Sequence, residues 1–193
     1  MITQIIGRLV EKNPTQVVVD CNGVGYAINI SLNTFSQIGE EEKIKLYTHL
    51  QVREDAHTLF GFHTPIERSV FLLLISVSGI GASTARTMLS SLEPQHIQRA
   101  IVSEDLNTIK SVKGIGLKTA QRVLIELKDK MMNLSDGEEI QIFGNNTIKD
   151  EALSALEVLG YSRKQSERIL DNIIQSASDS SVEGLIKEAL NKL

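Results

Sequence analysis

The chain has 193 residues, 41% hydrophobic and 23% charged, with a net charge of −4, the composition of an ordinary globular protein of one to three domains. No apolar run approaches the roughly 20 residues that cross a bilayer, residues 70–75 being the longest candidate, and Met1-Ile2-Thr3-Gln4 lacks the basic stretch of a signal peptide, so a cytoplasmic location is expected. The single cysteine, Cys21, excludes an internal disulfide framework and a Cys-rich metal site, and reads as a buried structural thiol.

Residues 1–63 read as strands. An Ile-rich segment covers residues 2–10, a second strand residues 15–21 and a third residues 26–30, separated by turn signals at Asn13-Pro14 and Asn22-Gly23-Val24-Gly25. Residues 43–52 alternate: Ile44, Leu46, Thr48, Leu50 and Val52 share one face, and Lys43, Lys45, Tyr47, His49 and Gln51 the other. Residues 58–62 close the set. About five short strands in about 60 residues suggest a small barrel of the OB type.

At Thr64 the period changes. Thr64-Pro65-Ile66-Glu67 combines a capping box with proline at the first helical position, and the apolar residues after it predict a buried helix ending near Ser78-Gly79. Pro94 is expected to start another helix, and a long amphipathic helix is predicted over 117–132. Residues 133–147 break the pattern and read as a linker, although Ile140-Gln141-Ile142-Phe143 is too apolar for a simple tether. From Ile148 onward three short amphipathic helices are expected, turning at Gly160-Tyr161 and near residues 178–181. The whole is a multidomain α+β chain: an OB-type five-stranded barrel (1–63), an all-α domain with two helix–hairpin–helix motifs (64–132), the linker, and a three-helix bundle (148–193).

The chemistry lies in an internal repeat. Residues 76–89 align without gaps on residues 111–124, with 8 of 14 positions identical at a spacing of 35 residues; repetition at this level implies two copies of one structural unit. In each copy a helix ends, Gly79-Ile80-Gly81 or Gly114-Ile115-Gly116 turns the chain, and a new helix begins. Glycine permits positive φ and keeps side chains from holding a phosphate away. Ile80 and Ile115 would plug the angle between helices, leaving the amides of the turn and the new helix start as an anion site. Such a site reads the sugar-phosphate backbone and not base sequence. A dinucleotide-binding turn would need Gly or Ala where Thr84 and Thr119 stand, and a P-loop would need Gly directly before Lys118-Thr119, where Leu117 intervenes. Two ordinary helix-terminating glycine turns remain the bland alternative.

Charge is unevenly distributed. Residues 1–64 carry −2, residues 65–135 carry +3 and residues 136–193 carry −5, so both glycine turns lie in the one positive segment, and Lys113, Lys118 and Arg122 cluster around the second. Uneven surface charge with no partner is the alternative reading.

Together with Gly23-Val24-Gly25-Tyr26, Thr48-His49, Val52-Arg53-Glu54-Asp55-Ala56, Gly61-Phe62 and Leu159-Gly160-Tyr161, this architecture resembles the RuvA family, Holliday-junction-recognition subunits of the bacterial branch-migration complex, over essentially the whole chain. The resemblance implies a non-catalytic DNA-binding subunit that holds four-way junctions open and recruits and stimulates the RuvB ATPase in recombination, repair and the response to DNA damage. It implies a homotetramer, with a second tetramer able to complete an octamer on DNA, the junction resolvase as a further partner, and no cofactor or ATP site of its own. DNA contacts then fall on Gly79, Ile80, Gly81, Ser83 and Thr84 in the first copy, and on Lys113, Gly114, Ile115, Gly116, Lys118, Thr119 and Arg122 in the second. Glu54 and Asp55, otherwise a solvated hairpin turn, match an acidic pin at the junction centre, where carboxylates repel phosphates and disfavour continuous duplex. In the terminal bundle Leu156, Leu159, Tyr161, Ile186 and Leu190 lie at helical spacing; most should be core, with Leu159 and Tyr161 foremost as contacts to RuvB.

The chain departs from the family in two places. Ala82-Ser83 stands where Pro-Lys is common, and Leu117 where Lys is common, so a shallower salt dependence is expected. Two other function classes stay open on sequence alone. A helix–hairpin–helix glycosylase or nuclease would need a catalytic Asp or a metal-ligand cluster, and His49, His57, His63 and His96 are scattered. A single-strand-binding OB protein would need exposed aromatic platforms, and there is no Trp, with Phe and Tyr totalling eight.

Overall fold

A computed structural model of the protein describes residues 2–134, 148–176 and 181–192. The chain divides into two compact units, Met1–Glu139 and Ile140–Leu193. The first holds the barrel and the central helices.

The barrel is built from β1 (Gln4–Asn13), β2 (Gln16–Cys21), β3 (Val24–Ile30), β4 (Lys43–Val52) and β5 (His57–Phe62). It is closed in the order β1-β2-β3-β5-β4, with β3 and β5 parallel and the other pairs antiparallel. Alternation places Val17, Val19, Ile28, Ile30, Ile44 and Leu46 inside, as a half-buried sheet requires. On β4 the row shared by Ile44, Leu46, Thr48, Leu50 and Val52 leaves the core at its end: Val52 is 62% exposed, where the strand runs into the hairpin to β5. β1 carries a bulge between Leu9 and Glu11. Cys21, expected to be buried, is only partly so, and its Sγ lies 3.4 Å from the Ile6 carbonyl oxygen as donor.

One element was absent from the strand-only reading of residues 1–63. Ser31 caps a short helix, α1 (Leu32–Gln37), between β3 and β4, its side chain accepting from Thr34 N–H. The segment is too short for helical periodicity to show in its sequence.

The central helices are α2 (Pro65–Ile75), α3 (Ala82–Ser91), α4 (Pro94–Val102), α5 (Leu106–Lys110) and α6 (Leu117–Met132). Pro65 and Pro94 stand in the first helical turn, as expected. The helix before the second glycine turn is the five-residue α5, capped by Asp105, which accepts from Asn107 and Thr108 N–H. Leu134, assigned to the linker, is instead buried, and Gln98 Nε2 donates to the Met131 and Leu134 carbonyls at the end of α6. Asn133 is the C-cap of α6, and residues 135–147, which include 140–143, lie outside the described residues.

β5 joins the two halves of this unit. Leu59 faces the barrel core, and a Cβ on Gly61 would lie 2.5 Å from Ile28 Cγ2, so only glycine fits there. Phe60 and Phe62 point the other way and pack on Phe71 of α2, with centroids 5.2 and 4.8 Å apart. Arg86 of α3 reaches back to donate to the Thr15 carbonyl and Asn29 Oδ1, and Ser90 Oγ accepts from Leu32 N–H.

Glu67 corrects the expected capping box. Thr64 does cap α2, accepting from Glu67 N–H, but the Glu67 carboxylate turns away, fully buried, to accept from the Ser31 and Thr34 hydroxyls. Thr34 Oγ1 in turn accepts from His63 N–H. A charge removed from water must be hydrogen-bonded, and this network ties α2 to α1 and to the end of β5.

The second unit contains α7 (Ile148–Val158), α8 (Arg163–Ser176) and α9 (Val182–Leu190). They close around Ala152, Leu153, Leu156, Leu170, Ile173, Leu185 and Ala189. Gly160, at φ +97°, ends α7: its N–H donates to Glu157 O while Tyr161 N–H reaches Leu156 O, the paired bonds of a glycine helix stop.

Burial raises the Glu67 carboxyl above its ordinary value of 4.5, while its hydroxyl partners pull it back down. With the folded value above the unfolded one, its contribution to stability is complete below about pH 4.5 and is lost as pH rises through the folded value. Glu67→Gln should therefore melt with less pH sensitivity above about pH 4.5 than the native chain. Equal pH dependence in the two proteins would show that Glu67 is not the group responsible.

Candidate nucleic-acid interface

The two glycine turns have the same backbone. Gly79 and Gly114 take φ of +98° and +92°, a region costly for any residue with a Cβ. Ile80 N–H donates to Val77 O, and Ile115 N–H to Val112 O. Both isoleucines are buried, plugging the angle between helices. Gly81 and Gly116 are the N-caps of α3 and α6, at φ, ψ of −86°, 166° and −84°, 167°. The equivalence extends to the first helical bonds, Ala85 N–H to Gly81 O and Ala120 N–H to Gly116 O, each 2.9 Å.

The two glycines of a turn have different reasons to be glycine. The first needs positive φ. The second has an extended conformation open to any residue, and a Cβ built on Gly81 or Gly116 meets nothing within 4 Å. Neither backbone strain nor internal packing accounts for it. No side chain caps either helix, so the amides ahead of Ala85 and Ala120 have no acceptor within the helix ladder. Each turn thus offers a bare helix start with its positive dipole end and open space before it.

Around the first turn Ser83 is exposed and Thr84 half-buried. Arg86, the nearest cation in sequence, is committed to the barrel. Around the second, Lys113 and Lys118 are exposed and Thr119 is half-buried. The two turns also meet. Arg122 Nη1 donates to the Ser78 carbonyl across 3.0 Å, with Glu126 Oε1 3.8 Å from its Nε. A Cβ on Gly79 would lie 3.8 Å from Thr119 Oγ1. Ser78 was not singled out in the sequence, since a main-chain acceptor leaves no trace in residue type.

Glu54 and Asp55 are exposed at the tip of the β4–β5 hairpin, closed by Arg53 N–H donating to Ala56 O at 2.9 Å. In the second unit Leu156 is fully buried and belongs to the core, which removes it as a surface contact; Ile186 packs against that core. Leu159 is 58% exposed, Tyr161 and Leu190 are exposed, and Val158, not anticipated, is 79% exposed beside them in sequence. α7 runs out at this point, so the apolar residues of its last turn pass beyond the bundle core.

The family model described as RuvA N terminal domain matches residues 1–61. The SAM-like helix-hairpin-helix tandem model matches residues 71–129, and the model of the RuvA C-terminal domain residues 147–193. The Holliday junction branch migration complex subunit RuvA of Christiangramia forsetii is 56% identical over 193 residues, covering all of both chains. Its namesake from Flavobacterium psychrophilum is 55% identical over 193 residues, again across both whole chains. That of Cytophaga hutchinsonii is 50% identical over 196 residues and 98% of each chain.

The geometry separates the glycines by experiment. Gly79→Ala and Gly114→Ala should each destabilise the first unit by roughly 1–2 kcal/mol, the strain of positive φ. Gly81→Ala and Gly116→Ala should stay within about 0.5 kcal/mol of the native chain, since a poorer N-cap and a stiffer unfolded chain offset one another. Urea unfolding measures both, and equal losses at all four positions would contradict the distinction.

Proposed function

The chain belongs to the RuvA family, and from that premise we propose that it recognises four-way DNA junctions through main-chain contacts to phosphate and delivers them to an ATP-driven partner. The observation carrying this reading is the pair of matching turns whose second glycines are required neither by backbone strain nor by packing within the chain. A phosphate approaching the start of α3 or α6 supplies one, because a side chain there would stand in its path.

The second turn is the stronger site. Lys113 and Lys118 add charge to its amides, whereas the first relies on amides with Ser83 and Thr84. Two phosphate positions per subunit are modest alone. A homotetramer with one subunit per junction arm, or an octamer enclosing the junction, multiplies them without needing any one to be strong. Glu54 and Asp55, carried on a tight hairpin clear of the barrel core, place carboxylates at the centre of such an assembly, where they repel duplex passing straight through.

In the second unit the exposed Leu159, Tyr161 and Leu190 suit an apolar element of RuvB, which supplies ATP hydrolysis, this chain serving as a non-catalytic cytoplasmic subunit in recombination and repair. The junction resolvase is a further candidate partner.

Gel-shift competition between a four-way junction and linear duplex of equal length tests the central reading. The native chain should prefer the junction. Gly116→Leu should remain folded and lose most of its affinity; undiminished affinity would sink the phosphate reading. Glu54→Gln combined with Asp55→Asn should bind linear duplex better relative to the junction. Removal of residues 148–193 should preserve junction binding and abolish stimulation of RuvB, and loss of junction binding instead would contradict this division of labour.

A further inference from the structure

We propose that Arg122 does not hold phosphate but acts as the strut that locks the first glycine turn onto the second, making the two turns one rigid unit. This rests on the phosphate reading above and assigns a positioning residue within it.

The repeat shows why the position is unusual. At an offset of 35 residues Arg122 corresponds to Thr87, whose hydroxyl folds back onto Ser83 O within its own helix. The two copies thus share a backbone but diverge here. One side chain serves its own helix, and the other crosses to the opposite copy. The acceptor is the Ser78 carbonyl, immediately before Gly79 reverses the chain at positive φ.

The guanidinium is oriented from both ends. Nη1 donates to Ser78 O, while Nε faces the Glu126 carboxylate one helical turn along α6. Thr119, three residues earlier on the same face, lies beneath Gly79 in ordinary van der Waals range of a built Cβ. The first turn therefore rests on the opening of α6 through two side chains. Arg suits such a place because its planar fork can satisfy two acceptors in fixed geometry, which a lysine ammonium on a flexible stem reproduces poorly. Arg122 is exposed as Lys113 and Lys118 are, but part of its charge is already answered by Glu126, which leaves the two lysines better suited to phosphate.

Rigid spacing matters because two linked contacts reinforce one another only if both can be made at once. A strut and a phosphate ligand also have different electrostatic signatures. Loss of one phosphate contact lowers the slope of log affinity against log salt by about 0.9, while loss of a strut leaves it unchanged.

The experiment measures junction affinity across a salt series for the full-length native chain, Arg122→Gln and Arg122→Lys, with amide hydrogen exchange on the DNA-free proteins. Both variants should lose about tenfold in affinity with an unchanged slope, and exchange should quicken around Gly79 to Thr84 while Ile115 stays as protected as in the native chain. A slope reduced by about 0.9, native affinity in either variant, or unaltered exchange around Gly79 overturns the proposal. Arg122→Lys decides the matter if Arg122→Gln does not fold. Gly116→Leu in the same series separates the two readings: if it binds as the native chain does, the phosphate reading itself has failed, whatever Arg122 does.

Discussion

A backbone amide can meet an external anion only where it is neither used by the helix ladder nor shielded by a side chain. Helix starts meet the first condition everywhere, because the first N–H groups of any helix lack an internal acceptor. They seldom meet the second, since Ser, Thr, Asp or Asn usually caps them. In this protein α1, α2, α5 and α9 are closed by Ser31, Thr64, Asp105 and Ser181, while α3 and α6 begin at bare glycines. A side-chain cap is present at those four helices and absent at the two repeated turns; α4 also lacks one, but it starts behind Glu93 with Pro94 in its first turn and carries no glycine.

Leaving those helix starts uncapped forgoes stabilisation, and the surrounding packing compensates. Phe71 anchors α2 on Phe60 and Phe62, the buried Glu67 gathers Ser31 and Thr34 around it, and Arg86 holds α3 to the β1–β2 turn and to β3 through Thr15 and Asn29. The barrel is thus part of the same compact unit as the turns and fixes where they stand. The β4–β5 hairpin bearing Glu54 and Asp55 grows from the two strands against which α2 packs, so the acidic tip and the glycine turns share one rigid support.

The net charge of −4 is compatible with a nucleic-acid surface because the charges are segregated along the chain. Residues 136–193 carry −5 and residues 1–64 carry −2, whereas the positive excess falls in residues 65–135. Within that segment the two copies differ. Arg86 is turned inward to the barrel, and the exposed lysines cluster at the second turn.

Much of this was legible in the residues themselves. Period-two alternation in residues 43–52, the glycine repeat at 35 residues and the proline-led helix starts each depend on local backbone geometry, which residue type controls directly. The barrel, the paired turns and the three terminal helices follow from such signals. What required the tertiary structure were contacts between residues distant in sequence. Glu67 looked like half of a capping box, yet partners 33 and 36 residues away claim its carboxylate. Leu156 shared its helical spacing with Leu159, and only the packing of three helices decided that one is core and the other surface. In sequence Arg122 is one more cation in a basic cluster; only the fold brings it to Ser78, a main-chain acceptor 44 residues earlier. Local periodicity determines the elements because it acts within one or two turns of chain. The partner of a charged or polar side chain is decided by whatever the completed fold brings within hydrogen-bonding distance.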